Sequence, residues 1–417
     1  MKRLVPTLSL LALAGYAAAE VISDDAAKVT VGLYYQGRMD LSHGASTTGD
    51  TVAPSENAAG ASDSADFYLR RARPSIKGTF GDGFIFQTTL AADNVGKNTT
   101  ASSTAPGIVL FEAYAGRKWN DSLGTETLVG GKKVAWFYTG NANATTGMFA
   151  TMRPTTPIGV PNNVGLAYKL ETPMVRFGVD VLNNVGTGIG GITGGGDDTA
   201  NGTNHSEGLF YSARVEITGL GDWTSAWQES FTGRPGHGFV LGLEAAAVNH
   251  DRLSDADAVT VGAQPGEAGA GVAAIEGMIH LDGLTAVADF RYQRTSLSTD
   301  AGADLAGIHS TTMTIQAGYA FETGIALVPV IEPAIRFAKI DNNVDNENEG
   351  ASFGGATGNN DYGASGRQFE IGLNGYFNGH KNKLSLDYIR WTGEAGPAAT
   401  NDDPNANILR VQHQLWF

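Results

Sequence analysis

Apolar and polar residues alternate one for one in segment after segment of this chain. Val29, Val31, Leu33 and Tyr35 alternate with Lys28, Thr30, Gly32, Tyr34 and Gln36. Phe84, Phe86, Thr88 and Leu90 alternate with Ile85, Gln87 and Thr89. Val175, Phe177, Val179 and Val181 alternate with Arg176, Gly178 and Asp180. Met313, Ile315, Ala317 and Tyr319 do so with Thr314, Gln316 and Gly318, and Phe369, Ile371 and Leu373 with Gln368, Glu370, Gly372 and Asn374. Successive side chains of a strand point to opposite faces, so each segment predicts a strand with one apolar and one polar face. No segment beyond the N-terminus approaches the ~18 consecutive apolar residues of a spanning helix. In a membrane, such a chain crosses as alternating strands of a closed sheet.

The N-terminus points to export. Lys2 and Arg3 precede a short apolar core from Leu4 to Gly15, and Ala17, Ala18 and Ala19 form a small-residue cleavage site before Glu20. Residues 1–19 are therefore expected to be a secretory signal peptide, leaving 20–417 as a single barrel. Hydrophobic residues make up 42% of the chain, below the ~45–50% of ordinary globular proteins. Glycine is frequent but has no Gly-X-Y period, which excludes a collagen fold. Cysteine is absent, so no disulfide framework is expected in the oxidising compartment the chain enters. Acidic residues number 43 against 28 basic ones, which argues against nucleic acid as a partner.

The connections alternate in length. Residues 41–65, 94–107, 136–161, 183–207, 249–271, 295–310, 341–366 and 393–405 are long and polar. Between them fall short turns such as Gly81-Asp82-Gly83, Glu171-Thr172-Pro173, Asp282-Gly283 and Asn378-Gly379-His380. Long loops on one side and tight turns on the other is the arrangement of an outer-membrane barrel. The segments between them predict strands near 28–40, 66–80, 84–93, 108–117, 125–135, 162–170, 174–182, 208–217, 238–248, 272–281, 284–294, 311–321, 328–339, 367–377, 383–392 and 406–417. That makes an all-β, sixteen-stranded antiparallel barrel. Residues 218–237 read either as a long turn or as another hairpin, which would make eighteen strands. Pro74 and Pro333 interrupt predicted strands and are expected at bulges or strand ends, because proline lacks the ladder donor.

Aromatic residues fall near strand termini: Tyr35, Phe67, Phe80, Tyr319, Phe321, Phe377, Trp391 and Trp416. Aromatic girdles at both interfaces are expected of a membrane barrel. At the C-terminus, Leu409, Val411, Leu415 and Phe417 alternate with Arg410, Gln412, Gln414 and Trp416, with His413 breaking the apolar row. A terminal aromatic inside an alternating strand resembles the closing strand recognised by the outer-membrane assembly machinery.

Several stretches, in order along the chain, resemble the phosphate-selective porin O/P family. These are Phe67 to Lys77 with the following Gly-Asp-Gly turn, Phe111-Glu112-Ala113-Tyr114, Val129 to Val134 with Thr151-Met152-Arg153, Tyr211 to Val215, and Ile371 to Tyr388. The resemblance implies a sixteen-stranded homotrimeric porin and, in the family's best-known members, a preference for phosphate. By position it implies that Arg38, Arg70, Arg71, Lys133 and Arg153 are basic residues near a constriction formed by residues 136–161, with Glu112 facing them; Arg73, on the lumen face, is expected to join them as a pore residue. Guanidinium and ammonium groups replace part of an anion's hydration, so such a wall selects the sign of an ion.

The lumen-facing assignments are mixed in charge. They include Arg38, Arg71, Arg73, Lys77, Arg176, Arg214, Arg291, Arg336 and Arg410, and also Asp40, Asp93, Glu112, Asp180, Glu216, Glu276, Asp289, Glu332, Glu370 and Asp387. The arginine ladder of the family's selective members is reduced mid-chain to Arg214 beside Glu216. Mild anion preference, phosphate included, is the first reading, with a non-selective or cation-preferring pore as the alternatives. The expected partners are small ions and hydrophilic solutes inside, and outer-membrane lipids, lipopolysaccharide and further copies of the chain outside. A non-channel barrel serving as adhesin or anchor would need bulky apolar residues inside. A plugged transporter would need an N-terminal domain, for which the segment between Glu20 and the first strand is too short. Metal-ligand spacing, Gly-x-Ser-x-Gly and a supported Ser/His pair are lacking, so neither cofactor, metal nor enzymatic activity is expected. The run from Asp341 to Gly350 is acidic but lacks the spacing of a calcium loop.

Overall fold

The computed structural model describes residues 19–23, 27–43, 45–48, 51–54, 64–96, 107–134, 147–150, 162–183, 209–220, 237–250, 268–298, 304–341, 366–393 and 405–416. Sixteen antiparallel strands form one closed barrel. They are β1 (Ala27–His43), β2 (Ser64–Phe80), β3 (Phe84–Val95), β4 (Val109–Asn120), β5 (Thr125–Val134), β6 (Asn162–Glu171), β7 (Val175–Asn183) and β8 (Leu209–Leu220). The second half comprises β9 (His237–His250), β10 (Ala268–Leu281), β11 (Leu284–Ser298), β12 (Asp304–Tyr319), β13 (Val330–Asp341), β14 (Gly366–Tyr376), β15 (Asn382–Gly393) and β16 (Asn405–Trp416). Each pairs with its sequence neighbours, and β16 closes on β1 from Tyr34 opposite Trp416 to His43 opposite Asn407. Closure gives every strand two partners, so no edge presents unpaired backbone groups to lipid.

All sixteen predicted segments coincide with strands. The eighteen-stranded alternative is overturned: β8 pairs directly with β9, from Phe210 opposite Val248 to Leu220 opposite Phe239, leaving no place for a strand between them. Residues 221–236 lie outside the described residues, as do 1–18 of the expected signal peptide, the C-terminal Phe417 and the acidic run after Asp341. A short strand, Ala19–Ser23, pairs with Lys28–Val31 of β1 beyond the end of β16. Another, Phe321–Glu322, takes over pairing with β13 where β12 stops.

Both prolines sit at interruptions. The β2–β3 ladder passes from Ala72 opposite Ala92 to Ser75 opposite Thr89, skipping Pro74. Pro333 lies between Ala334, which pairs with Gly318 of β12, and Ile331, which pairs with Phe321. A residue without an N–H is accommodated at such gaps. Where β10 turns into β11, Asp282 and Gly283 both take positive φ, 44° and 91°. That left-handed pair matches the twist of the flanking strands and makes the two-residue turn possible.

The faces are inverted relative to a water-soluble fold. Ile315, Phe369 and Leu373 point outward and are exposed, whereas Gln316, Glu370 and Asn374 between them are buried on the lumen side. An apolar band outside and polar side chains inside suit a barrel surrounded by hydrocarbon. Trp391 is a correction. It was expected in the outer girdle, yet β15 alternates so that Ser385, Asp387, Ile389 and Trp391 all face inward. There Trp391 packs with Ile389, Ala406 and Ile408 in an apolar cluster inside the loop end of the barrel.

Candidate functional site

Two β-bulges shape the lumen wall near the predicted basic residues. Gln36 pairs with Arg71 but Gly37 pairs with Leu69, so Arg70 is an extra residue in β2. Strict alternation would send Arg70 and Arg71 to opposite faces. The bulge turns both toward the lumen, where both are buried, and Arg73 follows on the same face. A second bulge makes Phe111 the extra residue of β4, because Thr89 pairs with Glu112 but Leu90 with Leu110. The Arg73 guanidinium lies 3.8 Å from the centroid of the Phe111 ring. Its Nε donates to Asp93 Oδ1 at 3.2 Å, and Arg70 Nη1 lies 3.9 Å from Asp93 Oδ2. Glu112 accepts a hydrogen bond of 2.7 Å from Gln87 Nε2. Arg70, Arg71, Arg73, Asp93, Phe111 and Glu112 therefore form one cluster with more guanidinium than carboxylate groups.

Of the remaining predicted residues, Lys133 lies within electrostatic reach of Glu112, and Arg38 lies elsewhere on the wall. Lys133 makes a fully buried ion pair with Asp180, whose other oxygen accepts from Ser212 Oγ at 3.0 Å. Arg38 is across the β1–β16 junction, donating to Gln412 Oε1 from both Nε and Nη2. Arg153 lies outside the described residues.

The central feature is the segment 147–150, part of the long connection between β5 and β6. It lies inside the barrel against the wall formed by β12–β16 and β1. Lys383 Nζ donates to the Gly147 carbonyl at 2.7 Å and Asn374 Nδ2 to the Met148 carbonyl at 2.6 Å. Arg38 Nη2 donates to the Ala150 carbonyl at 2.7 Å, while the Ala150 N–H donates to Asp387 Oδ2 at 2.7 Å. Two glycines make room for its side chains. A Cβ at Gly318 would stand 2.9 Å from Met148 Sδ, and one at Gly372 would stand 3.0 Å from the Phe149 ring. Arg336 stacks over that ring at 4.5 Å. The hairpin β5–β6 and the strands β13–β14 are eight positions apart among sixteen, half the circumference. Segment 147–150 is therefore held on the wall opposite the two strands that precede and follow it in sequence.

The wall is unevenly charged. On β8–β10, Arg214 is held by Glu216 at 2.7 Å, Glu244 at 3.3 Å and Glu276 at 2.8 Å. Arg176 bridges Glu171 at 2.7 Å and Glu216 at 3.1 Å. This acidic sector stands across the barrel from the basic cluster of β2–β4. Inward residues also differ in how far they meet water. Gln316 and Asn374 were expected to line the lumen, but they are covered, at 1% and 0% exposure, whereas Lys77 and Arg176 are accessible. Cysteines replacing Lys77 and Arg176 should react fast with a small water-soluble thiol reagent, those replacing Gln316 and Asn374 slowly, and those at Phe177, Ile315 and Leu373 least in a lipid bilayer. Equal labelling of both faces would contradict the register.

No protein-family profile matches the chain, and no curated protein matches it. Solved structures do. An anion-selective porin from Comamonas acidovorans superposes with a TM-score of 0.57 at 11% identity, over 94% of this chain and 100% of that one. The outer membrane channel DcaP of Acinetobacter baumannii gives 0.53 at 12% identity, over 96% and 100%. Salmonella typhi OmpF, in a complex with daunomycin, gives 0.53 at 14% identity, over 94% and 99%. At such identities the likeness establishes a shared barrel fold.

Proposed function

We propose that the chain is an outer-membrane porin, a passive diffusion channel for small hydrophilic solutes with a mild preference for anions, phosphate included. One observation carries this reading: a segment, Gly147–Ala150, fastened to the polar inner wall of a sixteen-stranded barrel, where it narrows the lumen. Barrels of this size leave an aqueous channel. The solved barrels of similar fold include proteins named as a porin and as a channel. The ordered motifs add membership of the phosphate-selective porin O/P family, and residues 1–19 the export signal.

Anion preference rests on the excess of guanidinium over carboxylate in the basic cluster. The basic cluster of β2–β4 lies on the same side of the barrel as the root of the constricting connection. A narrow, low-dielectric throat focuses the field of its own charges, whereas acidic loop residues beyond a Debye length of ~8–10 Å are screened. The acidic sector around Arg214 favours a second reading, a pore with little net preference. A homotrimer is supported by the outer surface of β2–β6, which at the loop end carries the exposed apolar residues Phe67, Ile108, Val109 and Val164 with Lys132 beside them.

Planar-bilayer recording in a salt gradient tests the proposal. Wild-type protein should form stable aqueous channels whose zero-current potential lies on the anion side. Arg70→Glu with Arg71→Glu should move it toward cations. Neutralising Asp345, Glu347 and Glu349 should move it little at ~0.1 M salt or above. A strongly cation-selective wild-type pore would refute anion preference, and the absence of channels from folded protein would refute the porin reading.

A further inference from the structure

The outer surface of the barrel is not uniform at its loop end. On β13–β15 the outward positions below this end are aromatic: Phe337, Phe369 and Tyr388. The next outward positions carry Lys339, Arg367 and Arg390, all exposed or half-exposed, while Ala338, Gln368 and Ile389 beside them face inward and are buried. Lys339 stands directly opposite Arg367. Arg367 is opposite Thr392 and Phe369 opposite Arg390, so Arg390 is the diagonal neighbour of Arg367. Directly opposed side chains lie about 5 Å apart and diagonal ones about 7–8 Å. The three cations thus form a short row above an aromatic belt. Asp341 lies 3.6 Å from Lys339.

Around the rest of this rim the described outward positions differ. Leu41, Phe67, Val164, Val181 and Tyr211 are apolar or aromatic. Lys132 on β5 faces outward between Ala113 and Val164, without a cationic neighbour. On β11, Arg294 opposite His309 extends the basic arc. Like charges placed side by side on a sheet repel. Long basic side chains can lay their stems along the belt and lift their heads to the interface, where a charge costs little. What stabilises such a row is an anion that meets several of its members together, and guanidinium groups suit phosphate oxygens in pairs.

Taking the long-loop end as the outer-leaflet end, as the porin reading requires, we propose that Lys339, Arg367 and Arg390 bind the phosphate groups of lipid A, the phosphorylated glucosamine lipid of that leaflet. A row of three spans more than one phosphate. That matches a rigid head group bearing several phosphates better than a phospholipid with a single phosphodiester. The position above the Phe337, Phe369 and Tyr388 belt sets the head group at the depth where acyl chains begin.

The test uses the purified full barrel in neutral detergent, titrated with lipid A, dephosphorylated lipid A, phosphatidylglycerol and phosphatidylcholine, with bound lipid read by native mass spectrometry. Wild-type protein should take up lipid A in preference to the other three. The variant K339Q/R367Q/R390Q should bind it roughly a hundredfold more weakly, and R390Q alone roughly fivefold, if each cation near a membrane surface contributes about equally. Lys132→Gln should bind as wild type does. Equal binding of lipid A by the triple variant, or equal uptake of phosphatidylglycerol or dephosphorylated lipid A by wild type, would overturn the proposal. Because the row lies outside the lumen, channel conductance should be the same in all variants. A lipid result against the row therefore leaves the porin reading intact, and folded protein without conductance would fail that reading separately.

Discussion

Replacing Arg38 and Lys383 by methionine should enlarge the channel. These side chains hold the carbonyls of Ala150 and Gly147 to the far wall. Hydrogen bonds from charged donors contribute about 1.5–3 kcal/mol each. Losing two shifts the balance between fastened and released segment by roughly a hundredfold or more. Asn374 and Asp387 still hold Met148 and Ala150, so the expected result is an enlarged and noisier conductance, with sugars above the wild-type size limit entering liposomes. A second variant separates release from the lost charge. Gly372→Val introduces no charge but puts a Cβ 2.7 Å from Asp387 Oδ1 and 3.0 Å from Phe149. Both variants should change conductance and size limit in the same direction. If both assemble normally and leave the size limit unchanged, segment 147–150 does not bound the passage.

Arg214→Leu should weaken the barrel strongly. It leaves Glu216, Glu244 and Glu276 facing one another, all buried. Breaking a buried ionic cluster by removing one sign costs about 3–5 kcal/mol. The temperature at which folded barrel converts to unfolded chain in gel mobility should therefore fall markedly. Replacing Glu216, Glu244 and Glu276 as well, by leucine or glutamine, should recover most of the loss, because a removed cluster leaves no uncompensated charge. A change in stability of Arg214→Leu within about 0.5 kcal/mol of wild type, the range of ordinary surface substitutions, would show that water already satisfies these carboxylates.

What could be read along the chain was local. Alternation at Val175–Val181 or Met313–Tyr319 depends only on successive residues, and it predicted the strands and which side of each faces inward. Asp282-Gly283 announced its turn for the same reason, since the left-handed backbone it needs is a property of those two residues. The motifs around Arg70, Lys133 and Glu112 pointed to the lumen but not to what these groups meet there. Alternation cannot foresee an inserted residue, so only the paired ladders show that Arg70 joins Arg71 on the inner face, and that Phe111 joins Glu112. Trp391 carried the signature of an outer girdle, and its inward position follows from the register of β15 against β14 and β16. Barrel closure decided the rest. It set sixteen strands by pairing β8 with β9, brought Lys133 to Asp180 and Arg410 to Asp40, and carried Gly147–Ala150 to a wall half a circumference away. Those contacts join residues far apart in sequence through the curvature of a closed sheet, and no short-range pattern encodes them.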